Sequence, residues 1–160
     1  MTTETKKERC VKLRTATAAD LPTVLALLDR AGLPSQGVDT DALPDFVVAE
    51  DGDTLVGVVG LEVYRGSALL RSAAVEESWR GSGVGRALID RALALSRERG
   101  IQDVFLLTTT AEHYFPRFGF ACVGRDSVPQ AVRASAEFQG ACPSTAVVMR
   151  KNLRGKYATC

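Results

Sequence analysis

Apolar residues along the chain form two kinds of run: short β-branched stretches and longer stretches with helical spacing. The short runs predict seven strands, at residues 11–14, 46–50, 55–64, 68–75, 101–108, 120–123 and 146–149. Helical spacing and turn residues predict four helices, near residues 20–32, 84–100, 111–118 and 130–138. Strands and helices therefore alternate along the chain, which is typical of an α/β (α+β) fold.

The composition fits one globular domain. The chain has 160 residues, 46% of them hydrophobic, and no long polar linker divides it. We expect a flexible N-terminal tail at 1–10, a single domain at 11–152 and a C-terminal tail at 153–160. No apolar run approaches the roughly 20 residues that span a bilayer, and the first nine residues lack the apolar core of a signal peptide. These features predict a cytoplasmic protein.

Charge and cysteine content exclude several classes of partner. The formal net charge is +1 and opposite charges are interspersed, so we expect neither nucleic acid nor a membrane surface as a partner. A small neutral or zwitterionic substrate suits this balance better. The four cysteines (Cys10, Cys122, Cys142 and Cys160) are scattered and only His113 exists to join them, so no metal site is expected. Cys122 is predicted to be a small core residue on a strand.

A glycine-rich turn, Arg80–Gly85, separates a predicted buried strand from a predicted helix. The free N–H groups at the start of that helix, together with Arg80 and Arg86, would hold an anion such as a pyrophosphate. The turn does not match the dinucleotide fingerprint, which needs glycine in place of Arg86, or the P-loop, which needs lysine there. It matches R-x-x-G-x-G, although a plain strand-to-helix turn is the structural alternative.

This motif and the order of elements from about residue 11 to 151 resemble the GNAT family of N-acetyltransferases. The resemblance implies a single domain with a mixed, mostly antiparallel sheet of six to seven strands, flanked by about four helices and splayed at the cofactor strand. It also implies acetyl-CoA as co-substrate. The residues it assigns to the cofactor are Ala73, Ala74, Val75, Arg80, Gly81, Ser82, Gly83, Val84, Gly85, Arg86 and Phe115. The backbone N–H groups of the first three would meet the pantetheine and the thioester oxygen.

Two further stretches narrow the resemblance. Residues 106–120 resemble the acetyltransferase domain of N-acetylglutamate synthases, and residues 127–144 resemble the small arsenic-resistance N-acetyltransferases. Residues 33–38 and 69–72 extend the second resemblance. Together they imply an amino-acid-like acceptor, arsenic resistance as a genetic context, and a homodimer. The synthases carry basic residues where this chain has Cys142-Pro143, so their glutamate recognition does not carry over.

The catalytic groups are less clear from the sequence. The family's usual tyrosine acid is replaced by Phe115, and on a helix the neighbouring Tyr114 would point about 100° away. Water, Ser144 or Cys142 would then protonate the thiolate of CoA. Glu62 is the predicted general base, because it belongs to the strand beside the cofactor strand. A solvent-facing role for Glu62, with ordered water as base, is the alternative.

An arginine inside an otherwise apolar strand needs a partner. Arg71 is therefore predicted to bind the carboxylate of the acceptor, with an internal salt bridge to Glu62 as the alternative. Tyr64, Gln36 and Cys142 complete the predicted substrate site, although Cys142 also suits a purely structural turn. His113 and Arg133 are expected mainly on exposed helix faces.

The sequence thus predicts an acetyl-CoA-dependent N-acetyltransferase acting on the amine of a small amino-acid-like molecule. A protein N-acetyltransferase is one alternative, favoured by an open groove. A CoA-binding regulatory module without catalysis is another, because the usual tyrosine is absent.

Overall fold

The computed structural model describes residues 11–142 and 144–153. The predicted N-terminal tail, nearly all of the predicted C-terminal tail, and Cys10, Pro143 and Cys160 lie outside these residues. Leu153, assigned to the C-terminal tail from sequence, is buried, and its N–H donates to the carbonyl of Gln102 at 2.8 Å. The packed part of the chain therefore extends at least to Leu153.

Within the described residues, seven strands form one sheet. They are β1 (Lys12–Thr15), β2 (Phe46–Asp51), β3 (Thr54–Val63), β4 (Ser67–Val75), β5 (Asp103–Thr108), β6 (Ala121–Val123) and β7 (Val147–Asn152). Their spatial order is β1-β2-β3-β4-β5-β7-β6. Every neighbouring pair is antiparallel except β4 and β5, which are parallel. This is the mixed, mostly antiparallel sheet expected from the sequence.

Three α-helices are described, α1 (Leu21–Arg30), α2 (Val84–Glu98) and the short α3 (Gln130–Arg133). Single 3-10 turns occupy Ala18–Asp20, Leu43–Asp45, Glu77–Trp79, Phe115–Phe118 and Arg125–Ser127, and a π-turn occupies Glu137–Ala141. Val47 and Ala49 belong to the apolar cluster that contains α2, whereas Phe46 and Val48 belong to the cluster that contains α1. Because alternate strand residues face opposite sides, α1 and α2 cover opposite faces of the sheet.

The sheet splits between β4 and β5. Their pairing covers only three positions, from Ser67 with Asp103 to Leu69 with Phe105, and then ends. A β-bulge in β4 accompanies the split, since Ser72 and Ala73 together lie opposite Val59. Ser72 has φ of +59°, a left-handed conformation that is uncommon outside glycine. The predicted splay at the cofactor strand is confirmed.

Three local predictions are wrong. Residues 111–118 form only a turn and the single 3-10 segment Phe115–Phe118, because Pro116 lacks the N–H that an α-helix through this stretch would need. The predicted helix 130–138 ends at Arg133, and a separate turn follows. Cys122 is exposed on the edge strand β6 and does not belong to the core.

Candidate active site

A cavity of about 680 Å³ opens where β4 and β5 separate. The wall is built from the loop after α1, the second half of β4, the start of α2, the end of β5 with the turn behind it, and the segment after α3. The lining includes Gln36, residues 70–75, Gly85, Leu88, Ile89, residues 106–111, Tyr114, Phe115, Glu137 and Cys142. The cavity therefore joins the predicted cofactor strand to most of the predicted acceptor residues.

Part of the backbone of β4 faces this cavity rather than β3. The N–H of Glu76 donates to the carbonyl of Val56 in β3 at 2.8 Å. Since successive strand residues direct their backbone groups to opposite sides, the groups of Val75 face away from β3 and into the split. By the same alternation Ala73 shares the direction of Val75, and Ala74 faces β3. Two of the three predicted backbone positions thus suit a ligand lying in the split.

The glycine turn Arg80–Gly85 adopts left-handed backbone angles at the start of α2, where the sequence predicts an anion site. Gly81 and Gly83 have φ of +79° and +96°, and Gly83 caps the N-terminus of α2. Gly85 is already helical; a Cβ there would lie 3.5 Å from the hydroxyl of Tyr114. Two glycines therefore permit the turn, and the third leaves space at the cavity wall.

The two arginines of the turn are exposed. The Nε of Arg80 donates to the carbonyl of Val75 at 3.4 Å, and the Nε of Arg86 lies 3.9 Å from a carboxylate oxygen of Asp90. Ser82 donates its hydroxyl to the carbonyl of Trp79, and Val84 is buried against the sheet. An anion at the start of α2 would lie between exposed guanidinium groups and unpaired helix N–H groups.

Two aromatic residues line the cavity beside the turn. Phe115 is buried in the wall, and the centre of its ring lies 5.3 Å from that of Tyr114 in an edge-on contact. Its contact with the cofactor stays a prediction. Tyr114 also lines the cavity; a regular helix would have directed it elsewhere, but this stretch is a turn and a 3-10 segment. His113 is 92% exposed and lies outside the lining.

Arg71 lies at the acceptor end, and its side chain is fully buried. Its Nη1 donates to Oε2 of Glu62 at 2.6 Å, and its Nε lies 3.5 Å from Oε2 of Glu137. The guanidinium also donates to the hydroxyl of Ser72 at 3.0 Å and to the carbonyl of Pro34 at 3.3 Å. The salt bridge to Glu62, which the sequence offered as the alternative, is present, and Glu137 adds a second carboxylate. Binding of an acceptor carboxylate by Arg71 stays a prediction.

Burial shifts the titration of the groups around this guanidinium. It raises the pKa of Glu137, with Arg71 opposing the shift and Glu62 adding to it. Burial, the charge of Glu137 and a hydrogen bond to that carboxylate raise the pKa of the Cys142 thiol to about 11. Burial and the bond from its hydroxyl to Oε1 of Glu62, at 2.6 Å, raise the pKa of Tyr64. At neutral pH the Cys142 thiol therefore stays protonated.

The other predicted residues lie apart from the cavity. Glu62 and Tyr64 lie behind the guanidinium of Arg71 and are absent from the lining. Ser144 is exposed and contributes a carbonyl to Arg125 at 3.3 Å. Arg133 is exposed, and its Nη2 lies 3.4 Å from the amide oxygen of Gln130. The roles predicted for these residues stay predictions.

The described residues carry no group of three or more histidine, cysteine or acidic side chains that could hold a metal ion. Within the same part of the chain, no helix combines the length and apolar character needed to cross a membrane.

The sequence matches a known family model and several known proteins. Residues 43–122 match the model of the acetyltransferase (GNAT) domain. An amino-acid acetyltransferase of Mycobacterium tuberculosis is 34% identical over 117 residues, which cover 68% of this chain and 67% of that protein. An uncharacterized N-acetyltransferase of Chlorobaculum tepidum is 34% identical over 89 residues, so the match covers 55% of this chain and 57% of that protein.

Among solved structures, the fold resembles the N-acetylglutamate synthase of Neisseria gonorrhoeae complexed with coenzyme A and N-acetyl-glutamate. The TM-score is 0.79 at 23% identity, with 91% of this chain and 36% of the synthase covered. The chain belongs to the GNAT acetyltransferase family, and the predicted likeness to amino-acid acetyltransferases and N-acetylglutamate synthases is confirmed.

Proposed function

We propose that the protein transfers the acetyl group of acetyl-CoA to the amine of a small amino-acid-like acceptor. The observation that carries this proposal is the cavity at the β4–β5 split, which runs from the glycine turn to the charged cluster at Arg71. One ligand could bind its phosphates at the turn and its thioester beside β4, with room for a small acceptor at the far end.

The cofactor role rests on complementary groups along one wall. The pyrophosphate would bind at the N-terminus of α2, between Gly81 and Gly85, and the backbone of Val75 would pair with the pantetheine. The backbone N–H of Ala73 would meet the thioester oxygen, where negative charge develops during transfer. Apolar lining from Leu106 and Phe115 would exclude water from the reacting atoms.

The acceptor end supports a small, amine-bearing substrate. The loop that contains Gln36 bounds it on one side, and the segment that contains Glu137 and Cys142 bounds it on the other. A bounded pocket favours a small molecule over a protein N-terminus or lysine. The relatives named amino-acid acetyltransferases support an amino-acid-like acceptor. Arsenic resistance, a cytoplasmic location and a homodimer stay predictions.

Thiol release tests the proposal directly. Purified protein with acetyl-CoA and an acceptor panel should release CoA thiol and yield an N-acetylated product detectable by mass spectrometry. The panel should include glutamate, methionine, phosphinothricin with its arsenic analogue, and the decarboxylated amine of each amino acid. If no amine, including a peptide N-terminus, is acetylated although acetyl-CoA binds, the transferase proposal is wrong.

That outcome would favour a CoA-binding regulatory module. One observation supports this second candidate: Phe115 occupies the position of the family's usual acid and has no hydroxyl to protonate a thiolate.

Gly83→Val tests the cofactor site separately. Gly83 has φ of +96° at the cap of α2, so a side chain there would strain the turn and displace the N–H groups that face the phosphates. Calorimetry should show at least a roughly 10-fold weaker affinity for acetyl-CoA, or about 1.4 kcal/mol. Gly100→Val is the matched control, because Gly100 has φ of +75° beyond the other end of the same helix. Equal affinity in both variants would refute the assignment.

A further inference from the structure

The cavity lining contains one carboxylate and one guanidinium within the described residues, those of Glu137 and Arg71. The Glu137 side chain is 5% exposed and lies 3.5 Å from the Nε of Arg71. Glu62 pairs with Nη1 of the same guanidinium and does not line the cavity. The two carboxylates therefore contact different nitrogens of Arg71, and of the carboxylates that the structure describes, only Glu137 can meet a molecule inside the cavity.

We propose that Glu137, rather than Glu62, is the general base that takes the proton from the acceptor amine. The inference rests on the proposed acetyl transfer and assigns a residue to its first step. An acceptor ammonium entering beyond Gln36 would meet this carboxylate as its negative partner. The thioester, placed beside the backbone of Ala73, would lie across the same cavity.

The proton balance of the reaction is simple. The Glu137 carboxylate accepts one proton from the ammonium group, which leaves a neutral amine with a free electron pair. That pair forms the bond from nitrogen to the acetyl carbon, and the bond from that carbon to sulfur breaks with its electrons on the CoA sulfur. The amide nitrogen then loses its second proton, which neutralises the thiolate through water or a protonated side chain. Glu137 returns its proton to solvent, so each cycle releases one proton.

Contacts around Glu137 hold it in place. The backbone N–H of Cys142 donates to the carbonyl of Glu137 at 3.2 Å, and the Nε of Arg71 lies 3.5 Å from the Glu137 carboxylate. The guanidinium of Arg125 lies 5.7 Å from the ring of the adjacent Phe138 and donates to the carbonyl of Ala146 at 3.1 Å. Arg125 thus connects the residue after Glu137 to the backbone just before β7.

The charged and titratable groups that face Glu137 determine when it is a base. Arg71 on β4 favours its ionised form, whereas burial and Glu62 on β3 favour the protonated form. Cys142, on its own segment, donates to the ionised carboxylate. Since burial raises the pKa of Glu137, activity should rise with pH through that pKa and be lost below it.

Glu137→Gln tests the assignment, because it keeps the shape of the side chain and removes the base. Turnover at saturating acceptor should fall roughly 100-fold, the acidic limb of the pH–rate profile should disappear, and the affinity for acetyl-CoA should stay unchanged. Glu62→Gln should lose less turnover and keep the acidic limb. Glu98→Gln, a change on the exposed end of α2, should match the native enzyme.

Two results would overturn the inference. One is an acidic limb that survives in Glu137→Gln, and the other is a limb that disappears in Glu62→Gln instead. If Glu137→Gln does not fold, Glu137→Asp replaces it: turnover should fall and the midpoint of the acidic limb should move, because the titrating carboxylate itself has changed. A midpoint and turnover equal to those of the native enzyme would overturn the inference. The absence of thiol release in the native protein would instead refute the proposed function, so the two failures are distinguishable.

Discussion

Two charged clusters in this protein have the same composition, one arginine between two carboxylates. They differ in how deeply the arginine is buried and in whether they adjoin the cavity. Arg14 binds Asp20 and Glu50 at the outer edge of the sheet, where its side chain is 30% exposed. Arg71 binds its two glutamates at the split of the sheet and is fully buried. The comparison shows that the charges alone do not define the site; the break in the pairing of β4 and β5 does.

The cluster of Arg14, Asp20 and Glu50, here called the outer cluster, connects the first strand to its neighbouring elements. Both carboxylate oxygens of Asp20 accept from Arg14, at 2.8 and 3.0 Å, and Oδ2 also accepts from the N–H of Thr17 at 2.7 Å. These bonds join β1 to the 3-10 turn that precedes α1. A third bond, to Glu50 at 3.0 Å, ties β1 to β2. Every carboxylate in this cluster has a structural partner, and none of these residues lines the cavity.

The cluster of Arg71, Glu62 and Glu137, here called the inner cluster, is centred on a buried arginine, so its desolvation costs more free energy than that of the outer cluster. Removing a guanidinium and two carboxylates from water is unfavourable unless their contacts compensate. Here the compensation is uneven, because Glu62 has a close bond to Arg71 whereas Glu137 has a 3.5 Å contact. A buried carboxylate with a looser partner remains available to a ligand, which is what a base requires.

Arg71→Ala should have the largest effect on stability. It would leave Glu62 and Glu137 close together without their shared cation, and truncating one partner of a buried charge cluster costs roughly 3–5 kcal/mol. Arg14→Ala, at the more exposed cluster, should cost about 1 kcal/mol. Denaturant unfolding measures both. Adding Glu137→Gln to Arg71→Ala should recover part of the loss, and equal losses in the two arginine variants would contradict the comparison.

Asp20→Asn should have a smaller effect that depends on pH. The bond from Arg14, which outweighs burial, lowers the pKa of Asp20 to about 2 from its ordinary value of 3.8. A carboxyl whose folded pKa is depressed stabilises the protein above its unfolded pKa, and that contribution is lost as the pH falls through the folded value. The variant should therefore be about 1–2 kcal/mol less stable at pH 7, and the difference should shrink between pH 4 and pH 2.

Unfolding free energies measured across this range check the prediction. Asp29→Asn, on the exposed face of α1, is the matched control and should stay within about 0.5 kcal/mol of the native protein at pH 7. A difference between Asp20→Asn and the native protein that does not change with pH would show that the ionised carboxylate is not the stabilising group.

Local patterns were enough to predict most of the fold. Strand and helix signals depend on neighbouring residues, so β3, β4 and α2 are readable from apolar spacing and from the glycines between them. The pair of Arg71 with Glu62 was also foreseeable as an alternative, since adjacent strands bring diagonal neighbours within reach. Cys122 was misplaced because a three-residue strand is too short for its alternation to show which face is buried.

The acceptor end could not be read in the same way. Glu137 lies on a segment without regular periodicity, and only the packing of the whole loop brings it to Arg71. Tyr114 was excluded on the geometry of a helix that Pro116 prevents. Both residues reach the cavity through contacts that are distant in sequence, and nothing in their local sequence indicates these contacts.

The most direct test of the account measures turnover of Glu137→Gln and Asp20→Asn side by side, under conditions where both are fully folded. We expect a roughly 100-fold loss for Glu137→Gln and turnover within about twofold of native for Asp20→Asn, because Glu137 is proposed to meet the substrate and Asp20 lies outside the cavity. Native turnover in Glu137→Gln, or an equal loss in both variants, would contradict the claim that the split in the sheet makes one cluster catalytic and leaves the other structural.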